Sequence, residues 1–134
     1  MRGRSRGGWW GAVLDAPDPR ALAEFYAGLL GWKIEKDEPG WVTVAAPQGV
    51  AYLGFQLAPE YMPPVWPPAE GRQQMMMHLD IEVDDLEGAV EDAMAAGARV
   101  ADHQPQDDVR VMLDPAGHPF CLYAATEASA EDSH

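Results

Sequence analysis

One helix signal occurs twice in this chain, and that repeat restricts its fold more than any other feature. Asp18-Pro19-Arg20 opens a run with apolar residues at Leu22, Phe25, Tyr26, Leu29 and Leu30, closed by Gly31. Asp84-Asp85 opens a second run with Leu86, Ala89, Val90, Ala93 and Met94, closed by Gly97. Both carry the i, i+3, i+4, i+7, i+8 stripe of a helix with one buried face. In each, an Asp stands thirteen residues before the closing Gly. A repeat of this size predicts a doubled fold with a ligand groove between the copies.

The flanking segments complete the doubling. Strands are predicted at 9–15, 32–35, 41–45 and 51–57 in the first half. Those of the second half are predicted at 75–83, 99–102, 109–113 and 120–124. Asp18 caps the first helix, with Pro19 at its first position and Gly31 as the left-handed stop. Asp84 with Glu87 resembles a capping box for the second helix. Asp114-Pro115-Ala116-Gly117 is a turn. Each half reads strand, helix, strand, strand, strand. The expected organisation is a basic arm at 1–8, a first module at 9–58, a Pro-rich segment at 59–74, a second module at 75–124 and a disordered tail at 125–134. The prolines around Trp66 exclude the middle segment from a sheet interior. It is either a stiff linker or a lid bringing Trp66 and Tyr61 over a pocket.

Bulk properties exclude several function classes. The net charge of −13 repels phosphate backbones, so no nucleic-acid partner is expected. No apolar run approaches the roughly 20 residues that span a bilayer, so no membrane partner is expected. The basic arm lacks the apolar stretch of a secretory signal. The single cysteine, Cys121, rules out an internal disulfide and fits a reducing cytoplasm.

Three stretches then carry a resemblance. They are Asp18 through Phe25-Tyr26 to Leu30-Gly31-Trp32, then His78-Leu79-Asp80-Ile81-Glu82-Val83-Asp84, then Asp114-Pro115-Ala116-Gly117-His118-Pro119-Phe120-Cys121-Leu122. Together they resemble the vicinal oxygen chelate superfamily of glyoxalases, bleomycin-resistance proteins and extradiol dioxygenases, in its glyoxalase-like subgroup. The resemblance implies an α+β fold, two βαβββ modules forming a curled, half-open mixed β-sheet barrel with the helices outside. It also implies a homodimer. Metal-using members hold an ion with four side chains. Carried onto this chain, those positions fall at Gly11 (or Ala12 in a shifted register), Gln56, His78 and Cys121. Only His78 keeps the donor type. One imidazole, one neutral amide and one thiol are a poor set for a hard cation. No cofactor is therefore expected, and a divalent metal on His78, Gln56 and Cys121 is the alternative.

Strand alternation sorts the remaining candidates. Tyr52, Gly54 and Gln56 are predicted to face the groove, with Leu53, Phe55 and Leu57 in the core. Met76, His78, Asp80 and Glu82 share one face, as do Cys121 and Tyr123, and Arg110 is taken to reach inward. His78 and Asp80 lie two residues apart, with Cα atoms about 6.5–7 Å apart on a strand. Asp80 could orient the imidazole for acid–base catalysis, or both could belong to a polar ladder with Arg110. Cys121 is either a nucleophile or an inert, half-buried thiol. Trp9, Trp41 and Trp66 are stacking candidates or packing residues, and Met76 is a soft wall for a flat ligand. His118 is expected to be exposed, and His103 shows no evident partner. The expected function is a small-molecule-binding protein with an aromatic-walled groove and no catalytic metal, of the sequestration or resistance type. The alternative is a lyase, isomerase or dioxygenase-type enzyme using a divalent metal or His78.

Overall fold

The computed structural model describes residues 1–125. Its contacts divide the chain between Tyr61 and Met62 into two units. The first contains β1 (Trp10–Ala16), α1 (Pro19–Leu30), β2 (Lys33–Glu38), β3 (Trp41–Ala45) and β4 (Ala51–Leu57). The second contains β5 (Leu79–Val83), α2 (Leu86–Ala95), β6 (Arg99–Val100), β7 (Val109–Leu113) and β8 (Pro119–Ala124). The expected order of one helix and four strands is present in each. Among the described residues, no helix is long and apolar enough to cross a membrane.

The two sheets have matching topology. The first runs β1-β4-β3-β2 and the second β5-β8-β7-β6. In each, the strand before the helix pairs in parallel with the last strand, and the other pairings are antiparallel. Both sheets are therefore mixed and open, and the fold is α+β. A parallel pairing requires a long crossover. The helix and the two strands following it provide that crossover in each unit.

Local chemistry accounts for the helix ends. Asp18 has extended backbone, and its Oδ1 accepts from the Ala21 N–H at 3.1 Å. Pro19 stands where no intrahelical donor is needed. Gly31 closes α1 at φ 70°, a left-handed conformation that side chains disfavour. In α2 the cap is Asp85 and not Asp84, a correction of one residue. Asp85 Oδ1 accepts from the Gly88 N–H at 3.0 Å. A Cβ on residue 88 would lie 2.4 Å from Asp85 Oδ2, so glycine leaves room for that carboxylate. Glu87 then stands in the first turn, where its charge suits the helix dipole, and forms no capping box. Asp85→Ala is expected to cost about 1 kcal/mol in urea unfolding. Asp84→Ala is expected to cost clearly less.

Buried side chains lie between helix and sheet in the first unit. Leu22, Ala23, Phe25 and Tyr26 of α1 are buried, as are Val42, Val44, Leu53 and Phe55 of the sheet. The Tyr26 ring stacks on Phe55 at 5.7 Å and meets Phe25 edge-on at 4.8 Å. Leu57 departs from the predicted core, being 49% exposed. It lies beyond the last β3–β4 pair, Trp41 with Gln56, so strand alternation no longer places it over the core. In the second unit Ala93, Met112, Phe120 and Leu122 are buried.

Several boundaries shift from expectation. Residues 75–78 precede β5, so the alternation predicted from Met75 begins only at Leu79. Strand β2 begins at Lys33 and runs three residues past its predicted end, to Glu38. Strand β6 keeps only two residues. The predicted tail lies outside the described residues except for Ala125, whose N–H donates to the Val83 carbonyl at 3.1 Å.

Candidate functional site

The first sheet carries an aromatic cleft on the face away from α1. Its register aligns Gly11 with Tyr52, Tyr52 with Ala45 and Gly54 with Thr43. Two glycines let aromatic rings lie against the backbone. A Cβ on Gly54 would come within 2.4 Å of Trp41 Cη2. A Cβ on Gly11 would meet the Tyr52 carbonyl oxygen at 2.3 Å and its ring at 2.8 Å. The resulting cavity, about 460 Å³, is lined by Trp9, Glu35, Lys36, Trp41, Thr43, Ala45 and Tyr52. It is mainly apolar with a few polar groups, the usual make-up of a small-molecule pocket.

A bulge shapes its polar side. The β2–β3 register shifts between Ile34 and Lys36. The Lys36 N–H donates to Thr43 Oγ1 at 3.1 Å. Regular alternation would send Glu35 and Lys36 to opposite faces, and the inserted residue lets both border one cleft. Sequence reading found Trp9, Trp41 and Tyr52 but missed Glu35, Lys36, Thr43 and Ala45. Alternation from Trp41 already pointed to Thr43 and Ala45. No turn or composition signal marks the bulge.

The four-donor metal set implied by the resemblance does not fit this unit. Position 11 has no room for a ligating side chain, because Tyr52 fills that space. Ala12 aligns with Leu53, on the α1 side of the sheet. Gln56 Nε2 donates to Asp15 Oδ1 at 2.8 Å, which ties its amide to a neighbouring carboxylate.

The second sheet holds a polar group. His78, just before β5, places Nε2 3.0 Å from Asp80 Oδ1. Asp80 is the register partner of Cys121, and Glu82 that of Tyr123. One donor atom from each of His78, Asp80 and Cys121 lies within 4.8 Å of the other two. Burial, then the charge of Asp80 and a hydrogen bond to it, push the Cys121 thiol above its ordinary pKa. The thiol is therefore a poor nucleophile near neutrality unless a cation offsets the charge. Desolvation, followed by Glu82, likewise raises the Tyr123 phenol.

Other predicted site residues lie elsewhere. Arg110 pairs with Leu122 and so shares the face of Leu122, opposite Asp80 and Cys121. Its guanidinium donates to the Asp107 and Val109 carbonyls, so it joins no ladder with His78 and Asp80. Met76 lies outside any strand and is 81% exposed, so strand parity assigns it no wall. Trp66 lies in the second unit, where its indole N–H donates to the His103 carbonyl at 3.0 Å. The two rings are 5.9 Å apart, so His103 does have a partner. His118 is not exposed as expected: its side chain is 13% accessible, and Nδ1 lies 2.9 Å from Oδ2 of buried Asp114. Asp114 Oδ1 also accepts from the Ala116 and His118 N–H groups, which organises the turn.

Comparison with known proteins agrees with this architecture. A family model described as a glyoxalase-like domain matches residues 11–123. A glyoxalase/bleomycin resistance protein/dioxygenase family enzyme from Burkholderia phytofirmans PsJN is similar at TM-score 0.65 and 18% identity, over 87% of this chain and 97% of that one. A genomically encoded fosfomycin resistance protein from Listeria monocytogenes is similar at TM-score 0.65 and 11% identity, over 97% and 100%. A lactoylglutathione lyase from Agrobacterium tumefaciens is similar at TM-score 0.55 and 16% identity, over 92% and 96%. At these identities the likeness concerns fold alone. A search of curated proteins returned no match.

Proposed function

Because the chain belongs to the glyoxalase-like domain family, within the vicinal oxygen chelate superfamily, we propose that it binds a flat small molecule without a catalytic metal. One observation carries this reading: Trp9, Trp41 and Tyr52 converge on one cleft of the first sheet. Aromatic faces capture planar ligands by offset stacking and by removing apolar area from water. Glu35 and Lys36 offer opposite charges at the rim, where they would orient a polar substituent. The loss of the first-module metal positions supports capture over metal-dependent turnover. A fosfomycin resistance protein among the fold relatives is compatible with a role in resistance. The lone cysteine supports a cytoplasmic setting, and the family resemblance supports a homodimer. A second reading, acid–base catalysis by His78, draws support from its 3.0 Å contact with Asp80.

Binding of two planar probes, cationic proflavine and anionic 8-anilino-1-naphthalenesulfonate, tests the proposal. At least one should bind saturably, read by the change in its own fluorescence. Trp41→Ala should weaken that binding by about 10-fold, the equivalent of about 1.4 kcal/mol for a stacked aromatic wall. Saturable binding that Trp41→Ala leaves untouched would place the ligand elsewhere. Failure of both probes to saturate would reject the aromatic cleft as a capture site for flat molecules.

A further inference from the structure

We propose that Thr43 sets the chemical class of ligand in the aromatic cleft: a planar ring whose edge carries a hydrogen-bond acceptor, a carbonyl oxygen or an aromatic nitrogen, that takes the Thr43 hydroxyl proton. This rests on the capture of flat molecules by the cleft and adds what those molecules must present.

Strand pairing puts one hydroxyl among the aromatic walls. Trp41, Thr43 and Ala45 alternate along β3 and so leave the same face. The indole of Trp41 extends over Gly54, the residue opposite Thr43 on β4. Opposed residues of an antiparallel pair have Cα atoms about 4.5–5.5 Å apart, so the indole tip stands beside Thr43. The Tyr52 ring lies over Gly11 on β1, away from Ala45, its partner on β3. Thr43 and Ala45 are 6% and 3% exposed and line the cleft, whereas Glu35 and Lys36 are exposed at its rim. Among the described residues, Thr43 is the one buried polar side chain lining the cleft.

The bonding of that hydroxyl leaves its proton for a ligand. A threonine hydroxyl has one proton to donate and two lone pairs that accept. The β2 bulge brings the Lys36 N–H to Oγ1 at 3.1 Å, which engages a lone pair. Among the described residues this is the only hydrogen bond Oγ1 makes. Water can take the proton while the cleft is open. A ring stacked on the indole excludes that water, and the proton then needs an acceptor on the ring. A ring edged only by C–H or N–H groups leaves it unpaired, and sites built around a hydrogen bond discriminate strongly against such analogues. An acceptor also completes a chain from the Lys36 N–H through the Thr43 O–H to the ligand, in which each bond polarises the next.

Calorimetry on the full chain with isosteric probes tests the assignment. The probes are 2-naphthylmethylamine and the quinolin-3-yl, quinolin-6-yl and quinolin-7-yl methylamines, at mildly alkaline pH. All then carry the same ammonium charge, and only the quinolines present a neutral ring nitrogen. In the wild type the quinoline isomers should differ from one another by at least about 5-fold, because a fixed donor meets the nitrogen in only some positions. Thr43→Val should weaken the best isomer by about 5- to 10-fold, the loss expected when one buried neutral hydrogen bond goes unmade. The same substitution should leave the naphthalene probe unchanged or tighter. Thr43→Ser, which restores the hydroxyl, should retain the quinoline affinity. Far-ultraviolet circular dichroism identifies the folded variants, and the isomer comparison needs none of them. Equal affinities of the three isomers would overturn the proposal. So would a folded Thr43→Val that weakens quinoline and naphthalene probes alike, or neither. Either result, with the naphthalene probe still binding in a Trp41-dependent way, leaves flat-molecule capture standing. Failure of all four probes and both dyes to saturate would reject capture itself, and the acceptor assignment with it.

Discussion

Phe55→Ala is expected to destabilise the protein by about 3–5 kcal/mol, the usual cost of emptying an aromatic core position. Phe55 is fully buried on β4 and stacks on Tyr26 of α1, so its ring joins sheet to helix. Its loss leaves a cavity beside Val42, the residue opposite it on β3. Domains of this kind have total stabilities of about 5–15 kcal/mol, so the variant should unfold at much lower urea or fail to accumulate. Urea unfolding followed by circular dichroism measures the change. A shift below about 1 kcal/mol would mean that the ring does not hold helix to sheet, because even modest cavities cost more.

Gly54→Val is expected to eliminate the aromatic cleft while leaving most of the fold in place. The new Cβ would fall 2.4 Å from Trp41 Cη2 and 2.9 Å from Cζ3, distances no packed side chain tolerates. The indole must shift off position 54, and the collision should cost about 1–3 kcal/mol. Probe binding should fall at least as far as in Trp41→Ala, because the displaced ring also obstructs the cavity. Fluorescence titration of the folded variant reads the effect. Binding at wild-type affinity would show that the wall formed by Trp41 on Gly54 is not where flat molecules dock.

Much of this was legible in the residues. Helix α1 could be read to its ends, because Asp18, Pro19 and Gly31 each act through local chemistry. Strands β3, β4 and β7 followed from alternation and turn residues alone. The end of α2 nearer β5 was misplaced by one residue, since two adjacent aspartates compete for the cap. The space left by Gly88 decides between them, and that is a three-dimensional property. Predicted β5 began too early because Met75, Met76 and Met77 are apolar, yet the latter two are exposed. Strand spacing put His78 and Asp80 on one face, yet His78 stands just before β5 and meets Asp80 from the strand's entrance. Arg110 shares the face of Leu122, its partner on β8, a pairing that the residues of β7 alone do not reveal. The bulge in β2 was missed for a similar reason: it arises from pairing with Thr43, on the next strand.

Tyr52 lying across Gly11 has a historical consequence. The position to which the resemblance assigns the leading metal ligand is, in this chain, volume already claimed by the Tyr52 carbonyl and ring. Ring and chelating side chain exclude one another at that position, so no intermediate form retains both. A lineage regaining the ion there would have to move the Tyr52 carbonyl as well as shrink its side chain before enlarging residue 11. Substitutions made in the reverse order would collide with the ring at once.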